Sequence, residues 1–102
     1  MTDIRVARRA LIARVLEGDG EAARSDRRAA YEDAGLTGAL AALVGKVAMR
    51  SAEIDDADFA AVRAAGLSED QVFEIVVCAA VGQAARQHDA ALAALDAATA
   101  AS

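Results

Sequence analysis

The 102 residues contain no proline and no tryptophan, and only three aromatic residues, Tyr31, Phe59 and Phe73. The lack of proline excludes a collagen-like or proline-rich chain. The shortage of aromatic residues, beside 30 alanines, excludes a β-sandwich or barrel, because alanine is a poor strand former. One cysteine, Cys78, excludes an intrachain disulfide and any multi-thiolate metal site within one chain. There is no glycine-rich phosphate loop, no His-x-x-x-His and no Ser/His/Asp set. Nucleotide, metal and hydrolase chemistry therefore have no support, and no cofactor is expected. No stretch reaches the ~18 apolar residues of a membrane helix. The richest run, Val72 to Ala85, is interrupted by Glu74 and Gln83. The first residues scatter Arg5, Arg8, Arg9 and Arg14 among apolar positions, so a secretory leader is not expected. The expected location is the cytoplasm of a bacterium. The alanine and arginine excess, with a single lysine at Lys46, fits a GC-rich genome.

What is present is helix-forming. Alanine is the best helix former, and 56% hydrophobic residues lie far above the disordered range. The chain reads as one all-α domain over 1–102, a compact antiparallel arrangement of about five helices. Two N-terminal helices fall in 1–34 and a helical core in 37–98.

Local signals mark the boundaries. Ile4, Ala7, Leu11 and Val15 give the first helix, about Asp3 to Leu16, an apolar stripe at steps of three and four. Gly18-Asp19-Gly20 ends it. A mostly polar second helix spans roughly Glu21 to Ala34, or starts later with Ser25 as its cap, and Gly35 fits its stop. Thr37 caps a third helix reaching about Ser51, with Leu40, Leu43, Val44 and Val47 facing inward. Asp55 caps a short fourth helix, with Ile54 and Phe59 spaced as a hydrophobic staple and Gly66 at its end. Ser68 and Gln71 form a capping box, with Leu67 and Val72 as a second staple.

The fifth helix carries the core. Val72, Phe73, Ile75, Val76, Val77, Ala79, Ala80, Val81, Ala84 and Ala85 leave almost no polar face, which predicts burial on most sides. Leu92 and Leu95 are its last large anchors, before an alanine-rich tail expected to fray. A chain this short, with so much alanine, supplies too little partner surface for that helix. The spacing therefore predicts a homo-oligomer.

Charge is uneven. Residues 1–28 hold seven basic and five acidic groups; residues 29–102 hold four and eleven, giving a net charge of −5. A net acidic chain repels nucleic acid at long range, so none is expected as partner. The arginines of the first helix remain a candidate face for a protein partner.

The order Leu43-Val44-Gly45-Lys46-Val47-Ala48, Ile54-Asp55-Asp56-Ala57-Asp58-Phe59, then Val62-Arg63-Ala64-Ala65-Gly66-Leu67-Ser68-Glu69-Asp70-Gln71-Val72-Phe73-Glu74-Ile75-Val76 resembles the alkylhydroperoxidase D-like and carboxymuconolactone decarboxylase-like superfamily. The resemblance covers about residues 40–95 and implies that superfamily's helical, oligomeric fold. Its redox members carry a Glu, a Cys-x-x-Cys and a His three residues on, along one helix. This chain departs from that pattern, with Cys78 alone and Val81 where a second cysteine would stand. Thiol peroxidase activity is therefore not implied, and no decarboxylase residue can be matched.

Four residues remain candidates for chemistry. Cys78, among valines and alanines, reads as a small buried hydrophobe, or as a wall of a ligand pocket beside Glu74. Glu74, one turn earlier on the same face, is either an ion-paired or exposed side chain, or the carboxylate of a ligand pocket against the fifth helix, walled partly by the third. Lys46 is a further pocket candidate, or pairs with Glu53 or an acid of the fourth helix. His88 lies about 15 Å beyond Cys78 along a continuous helix, which excludes a dyad within it. These residues leave three readings: an accessory, structural or ligand-binding oligomer; a non-thiol enzyme using Glu74 or His88 on a small organic acid or hydroperoxide; and a partner-binding helical module.

Overall fold

The computed structural model describes residues 2–100. Five α-helices follow in order: α1 (Thr2–Glu17), α2 (Arg24–Glu32), α3 (Gly38–Met49), α4 (Asp56–Ala64) and α5 (Glu69–Ala100), with a 3-10 turn at Ser51–Glu53 before α4. No strand occurs among the described residues. The all-α expectation therefore holds, and the helices fall close to their expected places. The second is shorter than its polar pattern suggested and starts after Ala23, which makes no side-chain cap. Its stop is Asp33, in the left-handed region at φ 51, with Gly35 following at φ 87. The third stops at Met49, two residues early, where Arg50 turns the chain into the 3-10 segment. The tail stays helical to Ala100; Ala101 and Ser102 lie outside the described residues.

Two of the expected caps close as hydrogen-bonded boxes. Asp55 accepts from the Asp58 N–H at 3.2 Å, and Asp58 accepts from the Asp55 N–H at 3.0 Å. Ser68 and Gln71 do the same at the entry to α5, at 2.8 and 3.2 Å. Each box satisfies donors that a helix start otherwise leaves unpaired.

The core is one layer of helices packed on the first half of α5. Leu16, Ala22, Ala30, Val44, Ile75, Cys78 and Ala79 form one buried cluster; Leu43, Val62 and Val72 form a second. Neighbouring residues of α3 enter both clusters, so α3 ties the α1–α2 side to the α4 side. Helix α2 crosses α5 at Gly82, where a side chain would overlap the Tyr31 carbonyl. Arg86 donates to that same carbonyl at 2.5 Å, serving an unpaired acceptor at the α2 C-terminus.

Only one face of α5 is covered. Phe73, expected in the core, is 69% exposed, and Leu92 and Leu95 anchor nothing buried. From Arg86 to Ala100 every residue is exposed. The 32 residues of α5 make a rod of about 48 Å. It stretches the molecule to 54 × 29 × 20 Å, with a radius of gyration of 15.5 Å against about 13 Å for a compact chain of this length.

Candidate functional site

Glu74 stands where α5 meets the α1–α2 loop. Its carboxylate accepts from the Glu21 N–H at 2.9 Å and the Ala22 N–H at 2.5 Å. The loop backbone comes this near because Gly20 has no side chain; a methyl there would press on the carboxylate. Gln71, one turn before, donates to the Glu21 carbonyl at 3.2 Å. Glu74 is therefore bonded to backbone amides rather than ion-paired. It is a tether between two chain segments over fifty residues apart.

Cys78 is buried, and its thiol donates to the Val15 carbonyl at 3.3 Å. Burial is the main cause that pushes its pKa up, followed by the opposing field of Arg27 and the reinforcing field of Glu74. A protonated thiol bonded to a backbone carbonyl is a poor nucleophile. The Val15 carbonyl also accepts from Arg27 at 3.2 Å, and Arg27 reaches the Gly18 carbonyl at 2.8 Å. Arg27 is only 4% exposed. Its guanidinium thus caps the end of α1, where acceptors are orphaned and the helix dipole is negative. Its Nε has no hydrogen-bond partner. Sequence reasoning missed this residue, because an arginine in a polar helix reads as a solvated side chain.

Glu74, Cys78 and Arg27 do line one recess, of about 120 Å³, together with Arg14, Val15 and Asp19. Its walls come from α1 and α2 with the loop between them, not from α3 as the sequence suggested. Lys46 is not among its lining residues. It lies on the other flank, where its ammonium donates to both oxygens of Asp58 at 2.9 Å. Asp58 is an acid of the fourth helix, one of the two partners foreseen. Its carboxyl is held below the ordinary range, first by the Asp55 N–H and then by Lys46.

His88 is exposed, at the edge of α1. Arg8 donates to its Nδ1 at 3.0 Å and pairs with Asp89 at 3.1 Å. That bond holds the Asp89 carboxyl below its ordinary range. The three side chains fix α1 against α5, so His88, like the others, is engaged within the chain.

Three larger concavities among the described residues are open; one, of about 410 Å³ beside His88, is lined by Arg5, Arg8, Arg9 and Asp89 with Ile4, Ile12 and Leu92, and the other two are apolar. One, about 440 Å³, lies between α4 and α5 and is lined by Phe59, Ala60, Val72, Phe73 and Val76, with Arg63 and Glu69 at its rim. These two rim residues pair with each other at 3.0 Å. Another, about 300 Å³, lies between α1 and α5, lined mainly by Ile4, Leu11, Ile12, Val81, Ala84 and Ala85. Ile54 packs on the second core cluster, whereas Phe59, its expected staple partner, faces the groove. Among the described residues no group of three or more His, Cys, Asp or Glu side chains is placed to hold a metal ion. No helix among them is long and apolar enough to cross a membrane. Compared with protein-family models, with curated proteins and with solved structures, the chain finds no match.

Proposed function

We propose that this protein is a homo-oligomeric helical module with an accessory or structural role, and not a thiol enzyme. One observation carries the reading: the groups suited to chemistry are engaged in contacts within the chain, while large apolar side chains are turned out. Glu74, Cys78, Lys46 and His88 each serve a contact within the chain. Phe73, Met49, Ile4 and Leu95 are each at least 60% exposed. Exposed apolar surface at this density marks an interaction face. The resemblance of residues 40–95 to the alkylhydroperoxidase D-like superfamily fits an oligomer descended from such a fold without its thiol site. The apolar α4–α5 groove favours a second reading, in which the assembled protein also holds a small apolar ligand.

Velocity sedimentation at micromolar concentration tests the first reading. A dimer or larger species is expected, and a stable monomer overturns it. A peroxidase assay with an organic hydroperoxide and a dithiol reductant is expected to show negligible turnover. Turnover that disappears in Cys78→Ser would restore a one-cysteine mechanism.

A further inference from the structure

Not all the arginines of α1 serve the fold. Arg5, Arg8 and Arg9 fall within an arc of about 100° on that helix and wall the recess of about 410 Å³ against α5. Arg8 is engaged there, on His88 and Asp89. Arg5 and Arg9 have no hydrogen bond or ion pair among the described residues. Asp89 is the one acid among the described residues that line the recess. Three guanidinium groups thus share one carboxylate, in a chain whose net charge is −5. Arg5 stands three residues from Arg8 and four from Arg9, and like charges at those spacings on a helix repel. An anion in the recess would relieve that repulsion.

The remaining walls are apolar: Ile4 and Ile12 from α1, and Leu92 from α5. Ile4 is 60% and Leu92 42% exposed, so both offer hydrocarbon to an occupant. His88 adds a donor of fixed identity. Arginine has only N–H donors, so the Arg8 bond makes Nδ1 an acceptor and leaves the ring proton on Nε2.

We infer that this recess binds a small organic anion, a carboxylate on a short hydrocarbon body. Arg5 and Arg9 hold the carboxylate, which the planar guanidinium fork matches in shape and charge. Ile4, Ile12 and Leu92 cover the hydrocarbon, giving the usual make-up of a small-molecule site, apolar walls with a few placed polar groups. A polyanion fits less well. It would run beyond the recess onto a molecule whose residues 29–102 hold four basic and eleven acidic groups. The apolar α4–α5 groove fits less well too, because its rim cation, Arg63, is already paired with Glu69. One chain forms the whole recess, so the inference does not rest on the oligomeric reading.

His88 is the single histidine, and its ring protons therefore report on the recess directly. Sodium octanoate is titrated into the full-length protein and followed by proton NMR, with calorimetry in parallel. A saturable shift of the His88 ring signals is expected, with one site per chain and a Kd below about 1 mM. Acetate, inorganic phosphate and 1-octanol, which each lack one half of the ligand, are expected to bind at least about tenfold more weakly. The double variant Arg5→Gln with Arg9→Gln is expected to keep its helicity and to bind octanoate at least about tenfold more weakly. Leu92→Ser is expected to weaken octanoate without strengthening phosphate. Octanoate that leaves the His88 signals unmoved overturns the inference, even where calorimetry shows binding elsewhere. Phosphate bound as tightly as octanoate would mean a merely cationic surface, and 1-octanol bound as tightly a merely apolar one; either overturns it. Unchanged octanoate affinity in the folded double variant does the same. If that variant loses helicity, the four probes on the wild-type His88 signals decide alone. Sedimentation of the protein is unaffected by any of these outcomes, so the oligomeric reading stands or falls separately.

Discussion

The carboxylate of Glu74 serves two backbone donors at once. A glutamine in its place has one acceptor oxygen, and its amide nitrogen would face a second N–H. Hydrogen bonds to charged groups contribute about 1.5–3 kcal/mol each, and a stranded donor costs more than a missing bond. Glu74→Gln is therefore expected to cost about 1–2 kcal/mol in urea denaturation. An unpaired buried carboxylate would have given the opposite sign. The two glycines inside helices provide a second pair of opposite signs. Gly45 has open space where a methyl would stand, so Gly45→Ala is expected to gain up to ~1 kcal/mol of helix propensity. Gly82→Ala gains the same propensity but drives a methyl into the Tyr31 carbonyl, which Arg86 holds in place. Overpacking of that kind costs about 1–3 kcal/mol, so a net loss is expected by the same measurement. Cys78, with its thiol pushed up by burial, is expected to label with a disulfide reagent near pH 7 only at the rate at which the native state opens.

Helix α4 has nine residues, too few to be stable alone, and its start is fastened through Asp58. Asp58 bonds the Asp55 N–H and receives Lys46 from α3. These partners depress the Asp58 pKa in the folded state. The stability they contribute is complete above the unfolded value, near 4, and is lost as pH falls through the lower folded value. Between pH 5 and 3 the wild type should lose more stability than Asp58→Asn, whose melting temperature should change less with acid. Asp55→Ala should cost about 1 kcal/mol at neutral pH. The signals for this helix and for the start of α5 were legible because capping chemistry is local: Asp55 and Gly66 bound α4, and Ser68 and Gln71 open α5. The same locality explains what was illegible. The core face of α5 could be read from Ile75, Cys78 and Ala79, but Phe73 and Leu95 look identical to core residues in a sequence. Arg27, Gly20 and Glu74 meet only through the return of α5 to the α1–α2 loop, and spacing along the chain carries no sign of it.

At the scale of the molecule, a small folded body carries a long helix whose second half is exposed throughout. In the proposed oligomer this apolar surface is covered by mass action, and stability should then depend on protein concentration. The melting temperature is expected to rise as the chain is raised from low to high micromolar. Phe73→Glu should abolish that rise while leaving the dilute melting temperature near wild type, because Phe73 is exposed in the single chain. A concentration-independent transition in the wild type would mean that the face stays open.

The loop that Glu74 holds has a further consequence, visible in solvent exchange. Surface loops ordinarily give up their amide hydrogens to deuterium in local openings that cost almost nothing. The Glu21 and Ala22 amides are instead bonded to a side chain anchored in the central helix. Releasing them means moving the α1–α2 connection away from α5. Their exchange should therefore be as slow as that of core amides at Ile75 or Ala79, and should become fast in Glu74→Ala while the core amides stay protected.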